Sequence, residues 1–76
     1  MTGPMELLRQ ARRIALKQAI EGPPQARLHY AFDRATAPTL TTLALYGTVV
    51  ADYKAIARRA FIVFEHLEHA ARRRAA

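Results

Sequence analysis

The sequence predicts an all-α fold of one small domain over residues 1–76, with an N-terminal helix at about 4–21, a short helix at about 25–35 and a long C-terminal helix at about 38–73. Two observations carry this reading. Apolar residues recur at spacings of three and four along nearly the whole chain, and glycine and proline fall between the periodic stretches rather than within most of them.

The first helix is punctuated at both ends. Gly3 can act as its N-cap, Pro4 suits the first helical position because its φ is preset, and Glu6 faces the positive end of the helix dipole. Leu7, Leu8, Ala11, Ile14, Ala15 and Ala19 share one face, widened by Leu16 and Ile20. Gly22 ends the helix, with a left-handed conformation expected, and Pro23-Pro24 prevents its resumption.

In the second segment Leu28, Ala31, Phe32 and Ala35 share a face, and Pro24 can open the first turn. A helix this short forms only when docked. Thr36-Ala37-Pro38-Thr39 reads as a turn in which Thr36 or Thr39 caps the third helix.

The third segment carries one apolar stripe through Leu43, Tyr46, Val50, Tyr53, Ala57, Ala60, Phe64, Leu67 and Ala71. Gly47 is its weak point, since a glycine inside a helix costs about 1 kcal/mol against alanine and Thr48-Val49-Val50 beside it is β-branched. The phase of the stripe is unchanged across Gly47, which favours continuity over a break into 38–46 and 48–73. A continuous helix would be about 54 Å long. Leu45, Val49, Ile56 and Val63, with Ile62, widen the apolar arc beyond a dimeric coiled-coil seam. The preceding helices look too short to cover it, so a helical homo-oligomer is expected, with Leu43, Tyr46, Val50, Tyr53, Phe64 and Leu67 at the interface and an antiparallel dimer as the preferred form.

Composition excludes several classes of function. With no cysteine, neither a disulfide nor a thiolate-held metal can support the fold. Serine is also absent, no glycine-rich phosphate loop occurs, and no acid–base pair stands out, so an enzyme is not expected and neither a cofactor nor a small-molecule substrate is implied. The weakly charged stretch 35–51 is too short and too polar at its edges to span a bilayer, and Arg9, Arg12 and Arg13 interrupt any signal-like apolar run. A soluble, cytoplasmic protein with no membrane partner is the expectation.

The formal net charge is +6, and ten of the twelve basic residues are arginine, which directs attention to polyanions or an acidic protein surface as partner. Arg9, Arg13 and Lys17 are spaced i, i+4, i+8 on the first helix, with Arg12 beside them. Together with Lys54, Arg58 and Arg59 they are the candidate phosphate contacts of a non-catalytic nucleic-acid-binding protein. The alternative is an interaction protein or accessory subunit that docks its apolar stripe onto a larger assembly.

Three further patterns have structural explanations. Residues 40–60 resemble a helix-turn-helix if Gly47 is the turn glycine, with Lys54, Arg58 and Arg59 on the second helix. Leu43 and Thr48 depart from that pattern, where a small and an apolar residue are usual. The cluster Glu65, His66, Glu68 and His69 offers metal-ligand types, yet it misses the Glu-x-x-His spacing, and Glu68 can pair with Arg72 at i+4. No metal is implied. Arg72, Arg73 and Arg74 suit the negative end of a helix dipole.

Overall fold

A computed structural model describes residues 3–76 as three helices, α1 (Pro4–Glu21), α2 (Pro24–Tyr46) and α3 (Tyr53–Ala75). The described residues form no strand. The all-helical expectation is met, and α1 has the span its punctuation predicts.

Gly22 differs in detail from expectation. Its φ of −86° is extended, not left-handed, because the residue before a proline is pushed out of the helical regions. Space is what demands glycine there. A Cβ at Gly22 would sit 2.8 Å from the Gln18 carbonyl oxygen and 3.2 Å from the Ala26 Cβ.

The boundary between the second and third helices moves. The turn expected at 36–39 is helical, and α2 runs straight through Pro38. Proline there removes one main-chain donor and crowds the carbonyl four residues back. Threonines surround it: Thr36 Oγ1 donates to the Phe32 carbonyl at 2.9 Å, Thr41 to Ala37 at 3.0 Å and Thr42 to Pro38 at 3.0 Å. Such back-bonding spares the hydroxyls from competing with the helix and tolerates a bend. Packing along α3 supplies what a short isolated helix lacks.

The expected continuity from 38 to 73 is overturned at Gly47. Its φ of 72° is left-handed, and its N–H donates to the Leu43 carbonyl at 2.8 Å, closing α2. Residues 48–52 are not helical. Asp52 restarts the chain, its side chain accepting from the Ala55 N–H at 3.0 Å as the N-cap of α3. A stop signal and a start signal five residues apart outweigh the preserved phase, and the β-branched Thr48-Val49-Val50 between them resists helix. The result is not a helix-turn-helix, because the connection spans residues 47–52 and α2 returns antiparallel to α3. Arg27 meets Glu68 near one end of this hairpin, and Ala35 clusters with Ile56 and Ala60 about two turns further along, near its middle.

The hairpin closes on small residues. Ala31, Ala35 and Ala60 are buried, and they let the two helices approach closely. Ala19 is the buried residue of α1, which has none from Pro4 to Gln18. Among the described large apolar side chains, Ile56 and Leu67 are the two that are buried.

One polar residue joins all three helices. Arg27, 7% exposed, donates through Nε to Glu68 Oε1 of α3 at 2.5 Å. Its Nη1 reaches the carbonyls of Gly22 at 2.6 Å and of Ala19 and Ile20 at 3.3 Å, the open C-terminal end of α1. Beside it Arg74 pairs with Glu21 at 2.5 Å, tying the last turn of α3 to the last of α1. Glu68 therefore bonds across the fold instead of pairing along its own helix with Arg72.

These contacts set two expectations, both read as urea midpoints at one fixed protein concentration. Arg27→Met keeps the aliphatic volume but strands Glu68 and the α1 carbonyls, and should destabilise by about 2–4 kcal/mol. A loss below ~0.5 kcal/mol would show that the clasp does not hold the helices together. Gly47→Ala forces a side chain into the left-handed region and should cost about 1 kcal/mol, whereas a gain in stability would point to a helix running through position 47.

Candidate interaction surface

The residues that sequence reasoning places on one continuous stripe end up on three different parts of the chain. Leu43 and Tyr46 close α2, Val50 sits in the connection at 97% exposure, and Tyr53 opens α3. Phe64 is half-buried on α3, and Leu67 is buried inside the chain. The stripe's lower half thus serves the intramolecular core, while Leu43, Tyr46, Val50 and Tyr53 stay at the surface around the hairpin's closed end.

A different apolar surface emerges from the hairpin geometry. At about 100° per residue, Leu28, Phe32, Leu43 and Tyr46 stand ~60–120° round α2 from the buried Ala31. Ala57, Phe64 and Phe61 stand ~40–100° round α3 from the buried Ala60, in the same chain sense. Because the two helices are antiparallel and face each other, equal senses of rotation bring both sets to one side of the hairpin. Phe32 is 49% and Phe61 60% exposed, and Leu28 and Leu43 are exposed as well. Ala57, Arg58, Phe61 and Ile62 line a shallow apolar depression along the α3 edge of this face.

The opposite face has another character. Rotating the other way from Ala31 and Ala60 meets Tyr30, Arg34, Ala37 and Thr41 on α2 and Arg59, His66 and Arg73 on α3. Arg34, Arg59, His66 and Arg73 are all exposed. The two faces of the hairpin therefore differ, with Phe32, Phe61 and Phe64 on one and Tyr30, Arg34, Arg59 and Arg73 on the other.

The predicted phosphate contacts fall into separate groups. Arg9, Arg12, Arg13 and Lys17 are all exposed on α1, where Glu6 approaches Arg9 at 4.0 Å. Lys54, Arg58 and Arg59 are exposed on the first turns of α3. The α1 group belongs to the helix that docks beside Ala71 and Arg74, about 26 Å along α3 from Lys54. Arg59 stands on the cationic face, whereas Lys54 and Arg58 line the rim of the aromatic one.

The histidine and glutamate cluster does not converge. No group of three or more His, Asp or Glu side chains that could hold a metal ion occurs among the described residues. His29 is engaged with Asp33 at 3.2 Å on the exposed side of α2. Among the described residues no helix is long and apolar enough to cross a membrane.

Two features of this surface escape reading by local spacing. Arg27 starts an i, i+4, i+8 series with Ala31 and Ala35, a small-residue face whose first member happens to be charged. The aromatic face joins residues some 30 positions apart, so it becomes visible once Gly47 is placed in the turn. No family model, curated protein or solved structure matches the chain, and its own surface is what bears on function.

Proposed function

We propose that this chain is a non-catalytic helical interaction protein whose aromatic hairpin face seats against another protein surface. The observation that carries this reading is the inversion of size between inside and outside. Among the described residues four of the seven buried ones are alanine and two, Ile56 and Leu67, are large and apolar, while Leu28, Phe32, Leu43 and Phe61 face outward. Each buried methylene contributes about 0.8 kcal/mol and a full leucine or phenylalanine side chain about 1.5–3 kcal/mol. The stabilising surface is thus mostly unused within one chain, and a partner that covers it supplies the missing burial.

This order reverses the expectation from charge alone, in which nucleic acid ranks first. The basic residues are dispersed over α1, the back of the hairpin and its rim, and they do not line one groove. Contact with a polyanion is retained as a second activity of α1, because Arg9, Arg13 and Lys17 form an exposed ridge at successive turns. A homo-oligomer and a cytoplasmic location belong to the same proposal.

Diluted to about 1 µM without a partner, the purified chain should melt broadly with a midpoint below ~45 °C and bind an apolar dye. A sharp transition above ~65 °C in a dye-silent monomer would contradict the reading. For the α1 ridge, fluorescence anisotropy with a labelled duplex at 50 mM salt and above is the measurement. Changing Arg9, Arg13 and Lys17 together to glutamine should reduce the slope of log K against log salt by about 2–3. An unchanged slope, or no binding at 50 mM, ends the second activity.

A further inference from the structure

We infer that the occupant of the aromatic face is a second copy of this chain, packed antiparallel about a two-fold axis that passes beside Phe61. The inference rests on the interaction reading above and names its partner.

Exposed area calls for a large partner surface. The chain exposes 6171 Å², whereas a compact monomer of its mass of 8.5 kDa exposes about 4700 Å². Its Cα radius of gyration is 14.4 Å, against about 11 Å for a compact domain of this length. The chain spreads over 45 × 41 Å yet is 14 Å thick. About 1500 Å² per chain is thus left uncovered, and two copies burying it would hide about 3000 Å², within the range of obligate homodimers.

The position of the aromatics suits a two-fold pair. Phe32, Phe61 and Phe64 lie near the middle of the hairpin's length, since Ala35 and Ala60 sit side by side at its centre. A two-fold axis through the middle of that face brings each aromatic group onto its mate. Central aromatic clusters with a polar rim are how stable interfaces are built, and a two-fold pair is the commonest closed assembly.

Charge fixes the orientation. Along the rim of α3 the residues Lys54, Arg58, Phe61, Glu65, Glu68 and Arg72 succeed one another at spacings of four and three. Cations precede Phe61, and the carboxylates Glu65 and Glu68 follow it before Arg72. In an antiparallel pair of α3 helices centred on Phe61, Arg58 of one copy falls opposite Glu65 of the other, while Glu68 stays paired with Arg27 of its own chain. A parallel pair would set like charge against like. The cationic face, with Arg34 and Arg59, points away from the contact.

Sedimentation equilibrium of the full chain between about 1 and 100 µM, at 50 mM salt, tests this. Twice the chain mass, with helicity and melting temperature rising with concentration, is expected. Phe61→Asp should weaken association at least 100-fold. Arg58→Glu should weaken it about tenfold, and adding Glu65→Arg to that variant should restore it to within about threefold, because the swap returns opposite charges to facing positions. That rescue cannot come from a merely misfolded chain. In a chain without native cysteine, Phe61→Cys should oxidise to a covalent dimer and Ala37→Cys on the opposite face should not.

Covalent pairing through Ala37→Cys alone, or a dimer indifferent to Phe61→Asp, overturns the assignment of this face. A loosely folded, dye-binding monomer at 100 µM overturns the second copy as occupant while leaving the interaction reading in place. A firmly folded, dye-silent monomer at that concentration overturns both.

Discussion

The arrangement of the three helices depends on the side chain of Arg27. The C-terminal end of α1 leaves carbonyl groups that Gly22, held extended by Pro23, does not fully cap. Arg27 lies one turn into α2 and offers a fork of donors, of which Nη1 takes three of those carbonyls and Nε takes Glu68. A lysine could not bond carbonyls and carboxylate with one rigid plane. Burying a guanidinium is costly unless its hydrogen bonds are met, and none of the buried side-chain nitrogen or oxygen atoms among the described residues lacks a partner. The clasp therefore fixes where α1 leaves the hairpin and in what direction, without a hydrophobic core at the corner.

That polar solution has a consequence for everything else. Because the corner is held by hydrogen bonds and the hairpin by alanines with Ile56 and Leu67, most of the large apolar residues are not needed for either. They remain where helical spacing puts them, together on one side of α2 and α3. Alanine at Ala31, Ala35 and Ala60 permits close approach of the two helices, but it removes little apolar area from water per residue. Close packing and large burial are in competition at one interface, and this hairpin favours closeness.

How far the fold is legible in the sequence depends on whether a signal is local. The limits of α1 can be read because Gly3, Pro4, Gly22 and Pro23 each act on the neighbouring few dihedrals. The turn at Gly47 is legible too, since Gly47 and Asp52 are ordinary stop and start residues, but the unbroken apolar phase argues against it with more weight than phase can carry. Phase describes which residues share a face if the helix continues, and says nothing about whether it does. Pro38 misleads in the opposite direction, where tertiary packing along α3 overrides a strong local breaker. The clasp is illegible because its partners, Arg27 and Glu68, lie 41 residues apart. Local pairing rules assign Glu68 to Arg72, four residues away, and have no access to the longer connection. The aromatic face is hidden for the same reason, because Phe32 and Phe61 share a side only after the chain has turned.

A net charge of +6 would by itself oppose pairing of identical chains. What two surfaces experience on contact is the charge within about a Debye length, ~8 Å at physiological salt, not the total. On the aromatic face and its α3 rim, Lys54, Arg58 and Arg72 are offset in part by Glu65, Glu68 being paired with Arg27, so that region keeps a small positive surplus. The larger part of the surplus resides on α1 and on the back of the hairpin, at Arg9, Arg12, Arg13, Lys17, Arg34 and Arg59. Segregating cations from aromatics in this way lets one face associate while the other stays charged and hydrated. The same segregation separates the two proposed activities physically, because an anion held by α1 would not compete with a protein surface seated over Phe61.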